Sequence, residues 1–262
     1  MKKILLETKR LTKYFGGLGA VKQVDFYTNA GEIVSLIGPN GAGKTTFFNL
    51  ITGFLRPTEG RILYEGKDIT RLKPHQVADV GMVRTFQKTK VFPQVSVLEG
   101  VMMGCHRKAH LSVWSAVANT NYARDLQNKV TQKAMQILQH IGIEQRAHTL
   151  AKNLPYGEQR LLEIAVAMGS DPELLLLDEP TAGMNPEETK RTMDLIYKIR
   201  DEGITVLLVE HDMNVVMGIS DRIVVLDSGS KIAEGLPNEI QENEEVIKAY
   251  LGEEYISHVE DR

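Results

Sequence analysis

The run Gly38-Pro39-Asn40-Gly41-Ala42-Gly43-Lys44-Thr45 completes the pattern G-x-x-x-x-G-K-[ST] and lies between an apolar strand-like stretch and a helix-like one. Glycines at these spacings let the backbone wrap so that successive N–H groups point inward at phosphate oxygens. A helix opening near Lys44 brings its positive dipole end to the same place. In that setting Lys44 reaches the terminal phosphates, the Thr45 hydroxyl is a ligand for Mg²⁺, and Thr46 completes the cradle. A Gly-rich turn that merely joins a strand to a helix is the plainer reading; the full pattern in this context favours the phosphate site.

A second acidic locus suits hydrolysis. The apolar run 174–177 is followed by Asp178-Glu179, which places two carboxylates at the C-terminal end of a buried strand, where open α/β sheets bind ligands. Asp178 is suited to Mg²⁺, a hard ion that keeps part of its water shell. Alternation along an extended strand sends Glu179 to the opposite side, free to orient or deprotonate an attacking water. Alone, such a pair is most often a solvated strand end; beside a phosphate loop it reads as functional.

The elements that position these groups follow from the rest of the chain. Its 262 residues suit one large domain or a domain with a smaller subdomain, and 42% hydrophobic and 25% charged residues are globular values. A net charge of −3 gives no reason to expect nucleic-acid binding. The single cysteine, Cys105, excludes an internal disulfide and is compatible with a reducing compartment. The start of the chain falls short of the roughly 7–15 apolar residues of a signal core, because Glu7, Lys9 and Arg10 interrupt it. No stretch approaches the ~20 apolar residues of a membrane span, so a membrane role requires a partner.

Short β-like runs at 5–15, 21–28, 32–37 and 61–64 open the chain, with a first helix expected at 44–55 and ended by Arg56-Pro57. Between 94 and 154 the apolar positions Leu126, Val130, Ile137, Leu138 and Ile141 recur at helical spacing. The runs 174–177 and 204–209 read as strands covered on both faces. Asn185-Pro186 reads as a helix cap, Gly203 as the stop, and 222–233 as a terminal hairpin followed by an acidic helix and tail.

With these features in order, the chain resembles the ATP-binding subunits of ABC transporters over residues 4–252. The resemblance implies an α/β fold: a P-loop NTPase core with a mixed sheet and an N-terminal antiparallel β subdomain at 1–93 and 155–262, and an inserted helical subdomain at 94–154. It gives Gln87, in Arg84-Thr85-Phe86-Gln87, the place of the glutamine loop that senses nucleotide and metal and contacts the permease. His211 matches the switch histidine at the γ-phosphate, Phe15 the aromatic on adenine (with Tyr14 as a competitor), and 182–185 the D-loop. Where the family signature has Leu-Ser-Gly-Gly-Gln, this chain has Leu154-Pro155-Tyr156-Gly157-Glu158. Pro155 lacks both the hydroxyl and a backbone donor. In this family Tyr156, Gly157 and Glu158 would act in trans on nucleotide held by the opposite cassette, so the working unit is a dimer with itself or with a related ATPase.

Within the family, Arg84-Thr85-Phe86-Gln87, the 156–160 and 217–222 stretches and Ala249-Tyr250-Leu251-Gly252-Glu253 are similar to the branched-chain amino-acid uptake ATPases. That likeness implies ATP and Mg²⁺ as cofactors, transmembrane permease subunits, a second ATPase and, indirectly, an external solute-binding protein. It places the chain peripherally on the cytoplasmic face of the inner membrane. Urea-uptake and lipopolysaccharide-export ATPases are the near alternatives. A soluble ABC ATPase acting on nucleic acid or ribosomes and a P-loop kinase are the distant ones.

Overall fold

The computed structural model describes residues 3–85, 94–106 and 121–250. Gln87, with Phe86, lies outside them, as does the chain after Tyr250.

Strands β1 (Ile4–Phe15), β2 (Leu18–Asn29), β4 (Glu59–Tyr64) and β5 (Lys67–Asp68) form an antiparallel sheet in the order β2-β1-β4-β5. The second sheet has the order β10-β9-β3-β8-β7-β6, built from β3 (Ile33–Ile37), β6 (Met82–Arg84), β7 (Leu174–Asp178), β8 (Thr205–Val209), β9 (Arg222–Asp227) and β10 (Ser230–Gly235). Its strands run parallel except β10, which closes a hairpin on β9. The hairpin turns at Ser228 (φ 46°) and Gly229 (φ 84°), the two positive φ values that suit right-handed strand twist.

β7 and β8 are buried along their whole length. Leu174, Leu176, Leu207 and Val209 face a core shared with the antiparallel sheet and helix α1 (Lys44–Ile51), where Phe26 and Phe47 meet edge to face at 5.2 Å. Leu175, Leu177, Val206 and Leu208 face the opposite core. Such two-sided burial is why these runs are continuous rather than alternating.

Helix α1 is shorter than its sequence pattern suggests. It ends at Ile51, where the Thr52 hydroxyl donates back to the Phe48 carbonyl at 2.6 Å and Gly53 turns left-handed at φ 75°. The terminating signal is therefore Thr-Gly, and Arg56-Pro57 lies beyond the helix. The short α2 (Pro74–Asp79) leads into β6.

Helices α3 (Val97–His106), α4 (Asn121–Ile141) and α5 (Tyr156–Met168) pack together beside the parallel sheet. α4 inserts Val130, Ala134, Leu138 and Ile141, a spacing that keeps one face apolar. Ser96 and Glu99 box the start of α3: the Ser96 N–H donates to Glu99 Oε2 at 2.7 Å, and the Glu99 N–H donates to Ser96 Oγ at 3.3 Å. Helix α6 (Pro186–Asp201) begins at Asn185, whose side chain accepts from the Glu187 and Glu188 N–H groups, each at 3.0 Å. Helices α7 (Met213–Ile219) and α8 (Pro237–Gln241) and a helical turn at 244–250 cover the β9–β10 side.

Candidate functional site: a phosphate loop facing a carboxylate–imidazole pair

Strand order does the positioning. β8 lies between β3 and β7, with Leu36 and Asp178 both registered against Val209. The phosphate loop after β3, His211 after β8 and Asp178-Glu179 at the end of β7 therefore emerge side by side, on strands about 4.8 Å apart.

In the loop, Gly38 (φ 146°) and Gly43 (φ 101°) are required twice over. A Cβ at Gly38 would collide with the Leu226 carbonyl, and one at Gly43 with the Ala20 carbonyl. The loop is held from both sides, since the Gly229 N–H donates to the Ala42 carbonyl at 3.1 Å and the Lys22 N–H to the Gly229 carbonyl at 2.7 Å. Lys44 is buried, and its ammonium donates to the carbonyls of Gly38 at 2.5 Å and Pro39 at 2.8 Å. The Thr45 side chain is exposed and Thr46 is half-buried, while the site of a Cβ on Gly41 meets open space. Asn40 is exposed and Ala42 buried.

Asp178 is buried, and its Oδ2 accepts from Arg84 Nη2 at 2.6 Å. Glu179 does not continue the strand. β7 stops at Asp178, and Glu179 takes φ 50° with its N–H donating to the Val209 carbonyl at 2.9 Å. The alternation expected from an extended chain is thus replaced by a left-handed turn that costs backbone strain, as at sites where direction matters more than stability. It brings Glu179 Oε1 to 2.8 Å from His211 Nε2, which donates when the carboxylate is ionised. Both side chains keep solvent access.

Two supporting residues carried no sequence signal of their own. Glu210 is buried and accepts from the Thr181 N–H and hydroxyl at 2.8 and 2.6 Å, tying the turn after β7 to the end of β8. Arg84 joins Asp178 to Asn49 of α1, where Nη1 donates to Oδ1 at 2.7 Å. Glu210 follows the apolar run 204–209 and Arg84 opens the Arg84-Thr85-Phe86-Gln87 stretch, but neither position predicts these partners.

Phe15 and Tyr14 are about equally exposed, at 48% and 45%, at the β1–β2 turn. Tyr14 lies over Gly19, whereas Phe15 has Lys13 Nζ 5.2 Å from its ring centroid. Pro155 caps α5 without a side-chain hydrogen bond, as expected of a residue with no polar side chain. Tyr156 is exposed, its ring lies against Gly183, and its hydroxyl accepts from Arg160 at 2.9 Å. Gly157 faces the Glu188 carboxylate, and Glu158 pairs with Arg146 at 2.9 Å. All three lie in the first turn of helix α5.

A phosphate loop, an acidic strand end and an adjacent imidazole on neighbouring parallel strands, flanked by an antiparallel sheet and a helical lobe, define an ATP-binding cassette. The ABC transporter family profile matches residues 21–182, and the chain belongs to that family of ATP-hydrolysing transporter subunits, which work as dimers on permease partners. A second profile, described as branched-chain amino acid ATP-binding cassette transporter, matches residues 230–256. The high-affinity branched-chain amino acid transport ATP-binding protein LivG of Escherichia coli K12 is 46% identical over 254 residues, 97% of this chain and 100% of LivG. A crystal structure of an ABC transporter cassette in its ADP conformation superposes with a TM-score of 0.84 at 32% identity, covering 95% of this chain and 99% of that one. A dimeric cassette in a post-hydrolysis state with ADP and Pi gives 0.76 at 26% identity, covering 89% and 99%.

Proposed function

We propose that this chain is the ATP-hydrolysing subunit of a branched-chain amino-acid importer. End-to-end similarity to LivG, together with the C-terminal profile over residues 230–256, carries the reading. Backbone N–H groups of 38–45 and the Lys44 ammonium hold the phosphates, and Phe15 stacks on adenine. Mg²⁺, when bound, screens the charge between phosphates; Thr45 and Asp178 offer the hard oxygen atoms it prefers, and Gln87 is assigned to the same ion by family resemblance. Glu179 takes the proton of the attacking water, and His211 fixes that carboxylate and faces the transferring phosphoryl group. Tyr156, Gly157 and Glu158 of the opposite cassette complete each site, so ATP closes a dimer and hydrolysis reopens it.

The helical lobe, assigned to 94–154, passes that motion outward. A cavity of about 570 Å³ between α2, β6, α3 and α5 presents Phe54, Pro74, Met103 and Val166, with Phe54 57% exposed. It opens beside the strand that leads to Gln87, which suits a cytoplasmic segment of the permease. The protein then sits peripherally on the cytoplasmic face of the inner membrane. Among the described residues, no helix is long and apolar enough to cross it.

Purification of the native assembly tests the whole reading. We expect two permease subunits and a second, related ATPase to accompany this chain, with an external binding protein delivering solute. Phe54→Asp should release the permease without loss of ATP binding. A homodimer of this chain on an export permease would overturn the importer assignment while leaving the ATPase chemistry intact.

A further inference from the structure

The Arg84–Asp178 ion pair has the wrong features for a simple stability device. Arg84 is 12% exposed at its side chain and Asp178 only 2%, so both charges have left water. Buried pairs of this kind contribute little net stability compared with packed apolar residues. The geometry instead spans the nucleotide site. One arm of the guanidinium, Nη2, donates to Asp178 Oδ2 on β7 at 2.6 Å, and the other, Nη1, donates to Asn49 Oδ1 on α1 at 2.7 Å. Its Cζ also lies over the Phe48 ring, 5.5 Å from the centroid, which limits the positions it can take. Asn49 is one helical turn on from Thr45, so the two share a face of α1. The two protein oxygens suited to Mg²⁺, the Thr45 hydroxyl and the Asp178 carboxylate, therefore stand on two elements that a single rigid fork joins.

We propose that Arg84 is a positioning residue for the divalent cation that accompanies ATP. By occupying Oδ2 it fixes the rotation of the Asp178 carboxylate and leaves Oδ1 for the ion or its water. By holding Asn49 it sets the distance between that carboxylate and the Thr45 hydroxyl. A carboxylate has lone pairs enough for both partners, so arginine and cation need not compete. The inference rests on reading 38–45 and Asp178 as a Mg-ATP site. A lysine cannot reproduce it, because an ammonium on a flexible stem lacks the planar two-armed fork.

The test is a Mg²⁺ titration of fluorescent ATP-analogue binding, with a chelated sample giving the metal-free baseline. Arg84→Lys should raise the half-saturating Mg²⁺ concentration by about tenfold or more, the usual effect of losing a residue that orients a metal ligand. Metal-free analogue binding should stay near the wild-type level, because the phosphate loop is untouched. Asn49→Ala removes only one arm and should shift the Mg²⁺ requirement in the same direction by less. It also decides the matter if Arg84→Lys does not fold. An unchanged Mg²⁺ requirement in both variants, even with a lower melting temperature, would mean that the pair is structural only and would overturn the proposal. Wild-type protein that binds the analogue without any Mg²⁺ dependence would overturn the Mg-ATP reading itself.

Discussion

His211 Nε2 lies 2.8 Å from Glu179 Oε1, and the two residues follow adjacent parallel strands, β8 and β7. The contact exists because Glu179 leaves the strand at φ 50°, turning its side chain toward the neighbouring strand end. A carboxylate oriented by an imidazole next to a phosphate loop is placed to act on water. Glu179→Gln should lower ATPase turnover about 10²–10⁴-fold, the range for losing a general base. ATP should then hold the dimer closed, visible by size-exclusion chromatography. Continued rapid hydrolysis by that variant would assign the base elsewhere.

Pro155 gives a prediction in the direction of gain. It stands at the N-cap of α5 with no side-chain bond to the helix. In Pro155→Ser the hydroxyl can cap the helix, stabilising it by ~0.5–2 kcal/mol. It can also offer one hydrogen bond to a charged phosphate in trans, worth about 1.5–3 kcal/mol at most. Thermal melting reads the first effect and ATP-driven dimerisation the second. A higher melting temperature without tighter dimers would confine the effect to the helix.

The two aromatic residues at the β1–β2 turn separate by substitution. Tyr14 is engaged with Gly19 of its own chain, leaving Phe15 as the better adenine platform. Losing a base stack costs about 1–3 kcal/mol. Phe15→Ala should therefore weaken ATP binding by roughly tenfold or more, while Tyr14→Ala should change it little. Calorimetric titration of both variants distinguishes them, and a reversed order would give the stack to Tyr14.

Cys105 supplies a pH signature. Burial pushes its thiol above the ordinary value, with the Asp171 charge adding to the rise and Lys133 opposing it. A group whose pKa is raised on folding stabilises the native state below its unfolded value, about 8.5, and that contribution is lost as pH rises toward the folded value. The melting-temperature advantage of wild type over Cys105→Ala should narrow as pH rises through about 8.5 and beyond. Since the thiolate is the reactive form, alkylation at pH 8 should be slow in native protein and fast in denaturant.

The parts of this molecule legible in the sequence are those encoded locally. Asn185-Pro186 announces a helix start because the cap and the fixed proline φ act within three residues, and α6 begins there. Apolar continuity at 174–177 and 204–209 reports burial on both faces, as observed. The left-handed turn at Glu179 was not legible, because strand alternation assumes that the strand continues. The fork from Arg84 to Asp178 and Asn49 joins residues separated by 94 and 35 positions, and no local pattern encodes such a meeting. The short α1 differs from its sequence pattern for a related reason: Arg56-Pro57 is a strong stop signal, but Thr52 and Gly53 end the helix before it.

The phosphate loop is wedged between the Ala20 carbonyl of β2 and the Gly229 backbone of the β9–β10 turn. The loop proposed to hold ATP thus borrows its shape from a residue 186 positions beyond Gly43 in the chain. Inherited or engineered changes at Gly229, just before the stretch matched by the branched-chain profile at 230–256, would present as failures to bind nucleotide. A screen that sorted variants by sequence region would file them under the wrong defect.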